Sequence, residues 1–183
     1  MSNLRLINET IVSTPSNTIR ITDVFSADYD TYCIQVNNTT AGTQRENNNM
    51  DVRLIDSAGS EISTNDYDSE MLFGRNFSDT YIQVGSAGRN DFALLYHDTS
   101  GQNGNGNMTM WVFNPFQSDT YTYQVQQSIG RMSYQNTNQI PYMGKGIGVL
   151  KKQSSITGYS FVNRDSYTIA SGTFRTYGLR VDS

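Results

Sequence analysis

Thr-Tyr-Cys-Ile-Gln-Val-Asn, at Thr31–Asn37, decides how the rest of the chain is read. Apolar and polar residues largely alternate along it, and successive side chains on a strand point to opposite faces. The pattern returns in Met-Asp-Val-Arg-Leu-Ile-Asp at Met50–Asp56, in Met-Thr-Met-Trp-Val-Phe-Asn at Met108–Asn114 and in Tyr-Thr-Tyr-Gln-Val-Gln-Gln at Tyr121–Gln127. Each of these strands has one face to bury and one to leave wet. No run of the chain reads as a long helix.

Outward from these four, Leu4–Val12 and Thr18–Val24 read as strands around a turn at Thr14–Asn17. The third strand is expected over Tyr29–Asn37 and the fourth over Met50–Ser57. Ala58-Gly59 makes a tight turn that folds Ser60–Thr64 back as a hairpin. In Asp66–Arg75, the helical spacing of Tyr67, Met71 and Leu72 predicts a short helical turn. Strands follow at Thr80–Val84 and Asp91–His97, around Gly85-Ser86-Ala87-Gly88. The strand begun at Tyr121 continues over Arg131–Gln135. Ile156–Val162 and Tyr167–Leu179 finish the chain. Gly144, Gly146 and Gly148 leave one face of their strand bare, which predicts that another backbone or a neighbouring subunit packs there. Ten to twelve short strands without interposed helices predict an all-β fold: one antiparallel β-sandwich domain over 1–183, jelly-roll-like.

Composition narrows the function classes. The 183 residues are enough for one core, only 36% are hydrophobic and 16% are charged. Asn, Ser, Thr and Gln make up most of the polar remainder. Twelve Tyr and eight Phe at a net charge of −4 describe a folded protein with a neutral, hydrogen-bonding surface rather than a disordered one. The negative balance argues against nucleic acid as the main partner, since phosphate binding needs dense Lys and Arg. Lys145, Lys151 and Lys152 form the one basic cluster and read as a solvated strand edge. No apolar run approaches the ~20 residues of a membrane helix, and Met1–Arg5 carries no signal-peptide pattern. Cys33 is the single cysteine, so no internal disulfide forms, and it reads as a small buried side chain. The Asn-x-Ser/Thr sequons at Asn8, Asn37, Asn38, Asn76 and Asn107 are read as products of composition.

Catalytic chemistry finds little support. His97 is the only histidine, and neighbouring Asp98 points to the other face of a strand, so a Ser-His-Asp triad lacks its orienting acid. A zinc site needs more His or Cys than this chain has. Asp28-Tyr29-Asp30 and Asp66-Tyr67-Asp68, the latter followed by Glu70, each flank a tyrosine with carboxylates. Glycosidases need such pairs about 5–9 Å apart, and calcium needs six to eight oxygens in a suitable loop. Turn and strand-start roles are the simpler reading for both. Gly101–Asn107 superficially resembles a phosphate cradle but lacks the Lys-Ser/Thr ending and a following helix. No catalytic, cofactor-binding or metal-ligating residue is therefore assigned, and the chain is not expected to be an enzyme. The tyrosines divide between the core and an aromatic interface, with Tyr121 and Tyr123 on one face of one strand.

Several segments resemble small β-sandwich virion structural proteins of tailed bacteriophages, especially those of marine bacteria and cyanobacteria. They are Asp28–Asn38, Arg53–Gly59, Gly106–Pro115, Ile156–Phe161 and Thr176–Leu179. The resemblance implies a capsid decoration (cement) protein, or a module associated with the tail or fibre that binds a host receptor or glycan. A polysaccharide-degrading enzyme is the third class. It further implies the major capsid protein or other virion proteins as partners, a homotrimer, and residence in the virion after synthesis in the host cytoplasm. The short chain, which enters its first strand almost at once, favours the decoration protein over a fibre.

Overall fold

The computed structural model describes residues 3–42, 49–75, 81–96, 106–134, 138–163 and 168–179. These residues form twelve strands and no helix. The first four are β1 (Leu4–Val12), β2 (Thr18–Ile21), β3 (Thr31–Ala41) and β4 (Asn49–Asp56). The middle four are β5 (Tyr67–Arg75), β6 (Ile82–Arg89), β7 (Phe92–Tyr96) and β8 (Gly106–Phe113). The last four are β9 (Thr122–Tyr134), β10 (Asn138–Leu150), β11 (Ile156–Asn163) and β12 (Ile169–Leu179).

Two antiparallel sheets face each other, as expected of a β-sandwich. The larger runs β1-β12-β3-β8-β9-β10-β5-β6 and the smaller β2-β11-β4-β7. From β2 onward the chain keeps changing sheets, staying in one only for the β5–β6 hairpin and the β8–β9–β10 meander. Removing β9 and β10 from the order leaves β3-β8-β5-β6 opposite β2-β11-β4-β7. That is an eight-strand jelly roll. β12 and β1 extend it at one side, and the β9–β10 hairpin is inserted between β8 and β5.

The core follows from the alternation. Tyr32, Ile34 and Val36 of β3 and Met108, Met110 and Val112 of β8 point inward, against Val52 and Leu54 of β4 and Tyr159 and Phe161 of β11. An aromatic chain crosses this interior: Phe25 to Tyr159 at 5.8 Å between ring centroids, Tyr159 to Phe161 at 5.4 Å, and Phe161 to Phe174 at 5.0 Å. Burying each such side chain is worth about 1.5–3 kcal/mol. The buried tyrosines keep their hydroxyls bonded. Tyr67 Oη donates to the Ile62 carbonyl at 2.9 Å and accepts from Leu54 N at 3.0 Å, tying β5 to β4 across the two sheets. Tyr159 Oη meets Thr176 Oγ1 at 2.7 Å, tying β11 to β12. Burial pushes both phenols well above the usual tyrosine range.

Several local expectations are corrected. Asp66–Arg75 holds no helical turn: Tyr67–Arg75 is strand β5, because the buried set Tyr67, Ser69, Met71 and Phe73 has period two. Ser60–Thr64 is not a hairpin strand. Only the bridge between Ile55 and Glu61 forms, and the backbone then leaves to place Tyr67 beneath Leu54. The Ala58-Gly59 turn itself is present, with Gly59 at φ 77° and Asp56 Oδ1 accepting from Ala58 N and Ser60 N. Gly85-Ser86-Ala87-Gly88 does not separate two strands but is part of β6. His97, Asp98, Asn76 and Gly101–Asn105 lie outside the described residues.

Candidate docking interface

The inserted hairpin has its polarity inside out. On β9, Thr122, Gln124, Gln126 and Ser128 point into the sandwich, while Tyr123, Val125, Gln127 and Ile129 point outward. On β10 the inward positions include Gly144, Gly146 and Gly148, and the outward ones are Met143, Lys145, Ile147 and Val149. Register matches the two strands in volume. Gly148 pairs with Gln124 and Gly146 with Gln126, so each glutamine lies over a residue without a side chain.

This corrects the expectation for the glycine track. Its bare face is turned to the interior and is filled by side chains of this same chain. Phe92 and Gln124 occupy the space above Gly148, and Met71 and Gln126 the space above Gly146.

The arrangement is costly on both faces. Inside, Thr122 Oγ1, both polar atoms of the Gln124 amide, Gln126 Oε1 and Ser128 Oγ are buried without a hydrogen bond. Gln126 Nε2 alone finds a partner, donating to the Ala93 carbonyl at 3.1 Å. Each unsatisfied group costs about 1–3 kcal/mol. Outside, Ile129, Met143 and Ile147 are 59%, 58% and 59% exposed, and Val125, Tyr123, Tyr121 and Leu72 are also exposed. On the neighbouring strands Trp111 and Phe113 of β8 share this face, as the pairs Trp111–Val125 and Phe113–Tyr123 require. The result is a face from β8 to β5 with two outward apolar clusters, Trp111, Phe113, Tyr123, Val125 and Ile147 in one and Ile129 and Met143 in the other, and the row Thr109, Gln127, Lys145 and Leu72 between them. Surfaces of that extent mark docking sites.

Two shallow troughs run along this face. One, of about 630 Å³, has Gln35, Thr109 and Gln127 on one side and Leu72, Tyr81 and Met143 on the other. Tyr81 lies across Gly74, where a side chain would displace it. The second, of about 730 Å³, lies between Tyr123 and Val125 on one side and Ser86 and Ala87 on the other, over Ile147.

The sequence-predicted candidates fall elsewhere or are tied up. The two acidic tripeptides sit at one end of the large sheet but are not brought together. Thr31 and Asp68 occupy one row across β3, β8, β9, β10 and β5, four strand spacings or ~19 Å apart. Asp28 accepts from Ser26 Oγ at 3.1 Å, Asp30 from Gln117 Nε2 at 2.9 Å, and Asp66 from Thr64 Oγ1. Asp68 accepts from Gly88 N at 2.8 Å and pairs with Lys151 Nζ at 2.9 Å. Those two bonds hold its carboxyl below the usual range, the backbone one contributing most. The lysines do not guard an edge: β10 is internal to its sheet, so Lys145 stands on the face and Lys151 closes onto β5. Cys33 is buried as expected, beneath the outer face between its register partners Trp111 and Tyr177, and burial raises its thiol pKa. No group of three or more His, Cys, Asp or Glu among the described residues is placed to hold a metal. No family model matches the chain, and no curated protein matches it.

Proposed function

We propose that this chain is a structural protein of a tailed-bacteriophage virion, and within that class a capsid decoration protein that acts by docking rather than by turnover. The observation that carries this reading is the apolar outer face of the β9–β10 hairpin, kept outward at the cost of buried, unsatisfied glutamines. An enzyme's site would be expected to gather its ionisable groups, whereas the acidic pairs here stand apart and are locally bonded. The jelly roll is a frequent scaffold of viral shells, and the virion-protein resemblance of the sequence points the same way. The partners are then the major capsid protein or other virion proteins, the assembly is a homo-oligomer, a trimer on the resemblance, and neither nucleic acid, membrane nor cofactor takes part. Symmetry multiplies the modest energy of each copy.

Tag labelling of purified particles, imaged by electron microscopy, tests the location: label on the head supports decoration, and label confined to the tail rejects it. Assembled shells should capture the protein far better than free capsid subunits do. Equal capture by both would also reject the reading.

The trough lined by Gln35, Thr109, Gln127 and Tyr81 favours one second reading, a tail module that binds a glycan through amides and an exposed ring. Binding on a glycan array that is lost in Tyr81→Ala would support that module over the capsid.

A further inference from the structure

We propose that the occupant of the apolar outer face is a second copy of this chain, held in place by Lys145 of one copy against the partner's Glu70. The inference rests on the reading that this face docks protein, and it assigns the face to the contact between copies within the homo-oligomer that would sit on the shell.

Two observations carry it. The first is charge. Between Tyr123 and Leu72 the face displays one cation, Lys145, and one anion, Glu70, on adjacent strands. Register sets Lys145 opposite Leu72 and Glu70 opposite Ile147, so the two charges are diagonal neighbours. Yet among the described residues neither forms an ion pair or hydrogen bond. The Glu70 carboxylate is folded over Gly85, and its Oε1 is buried without a partner. Asp68, the nearest other carboxylate along β5, is already engaged by Lys151. A patch bearing one unpaired charge of each sign is complementary to itself: a facing copy supplies the missing partner to both, reciprocally in a dimer and around the ring in a trimer.

The second is area. From β8 to β5 the face is four strands wide, and from Tyr121 to Ile129 it is nine residues, or eight rises, long. At ~4.8 Å per strand and ~3.3 Å per residue its footprint is on the order of 500 Å² before side-chain relief. Gln35 of β3, beside Thr109, extends it toward the ~800 Å² per partner of a standard interface.

The test is the mass of the full chain in solution, by light scattering on a sizing column over ~1–100 µM, a range that brackets a micromolar association. The wild-type chain is expected at a multiple of 20.5 kDa. Lys145→Glu and Glu70→Lys should each weaken association about tenfold or more, and the double variant should regain most of it, because the swapped pair attracts again. Ile147→Asp, at the centre of the face, should yield a folded monomer, its fold checked by circular dichroism. A wild-type monomer throughout that range overturns the proposal, as does a double variant no better than either single one. A monomer that still labels phage heads defeats this inference alone, and an oligomer absent from particles defeats the virion reading alone.

Discussion

Tyr159 shows what a single residue contributes here. Its ring is fully buried between Phe25 and Phe161, and its hydroxyl meets Thr176 Oγ1 between the sheets. Tyr159→Phe should therefore cost about 1–3 kcal/mol, most of it from leaving the threonine oxygen unsatisfied. Thr176→Val added to that variant should cost little more, since it removes the orphaned group. Urea denaturation of the four proteins in a double-mutant cycle reads the coupling directly; additive losses would show that the bond contributes nothing. Asp68 acts through charge. Its carboxyl is held below the ordinary range by Gly88 N and Lys151, so its contribution is full above pH ~4 and is lost as pH falls through the folded-state value. Asp68→Asn should melt below wild type at neutral pH, and the gap should close as the pH drops below ~4. A gap that is constant with pH would mean the ionised carboxylate is not what matters. At this scale much was legible: Cys33 as a buried small residue, and Ala58-Gly59 as a turn, both follow from side-chain chemistry alone. The hydrogen-bond partners were not, because Tyr159 and Thr176 belong to strands whose pairing is set by the whole sheet.

Among the elements, β9 is the one whose local pattern conflicts with its place in the fold. Its alternation was readable, but alternation says only that two faces differ, not which one is buried. In an isolated sandwich Tyr123, Val125 and Ile129 would be expected inside. The deciding information lies in β10, where Gly144, Gly146 and Gly148 leave room for long polar side chains across the register. Small opposite large at matched spacing was the signal in the sequence that could have revealed the orientation. β5 is ambiguous in the sequence for a related reason: Tyr67 and Met71 satisfy a helical spacing as well as a strand one, and Ser69 hides the alternation. The inversion makes a prediction of unusual sign. Gln124 has both amide atoms buried and unbonded, so Gln124→Met, which keeps the length and sheds the polar atoms, should stabilise the fold by about 1 kcal/mol or more. Gln126→Met should stabilise less, since it also removes the bond to the Ala93 carbonyl. Thermal melts of the two variants check the order, and a loss of stability in Gln124→Met would mean that its amide is satisfied after all.

On the scale of the molecule, β-sandwich architecture was within reach of the sequence, because strand count and the absence of helices restrict the choices severely. The strand order was not. β3 lies between β12 and β8, and β11 between β2 and β4, so the sheets are assembled from partners far apart in the chain. Such pairings give no local sequence signal, since the residues that meet across Phe161 and Val52 or Tyr177 and Cys33 share no spacing. They also set the folding rate. Closing β1 on β12 joins the two ends of the chain, and the entropy of each such closure must be met before the core rewards it. Refolding from urea is therefore expected in the millisecond-to-second range typical of sandwiches, on the order of a thousandfold slower than helical bundles. With a single cysteine, reductant should leave both the rate and the melting point unchanged. Stopped-flow tyrosine fluorescence measures the rate and a thermal melt the melting point, each with and without a thiol reductant. Microsecond folding would contradict the long-range topology, and a rate that responds to reductant would show Cys33 escaping its place between Trp111 and Tyr177 in the unfolded chain and bridging two molecules there.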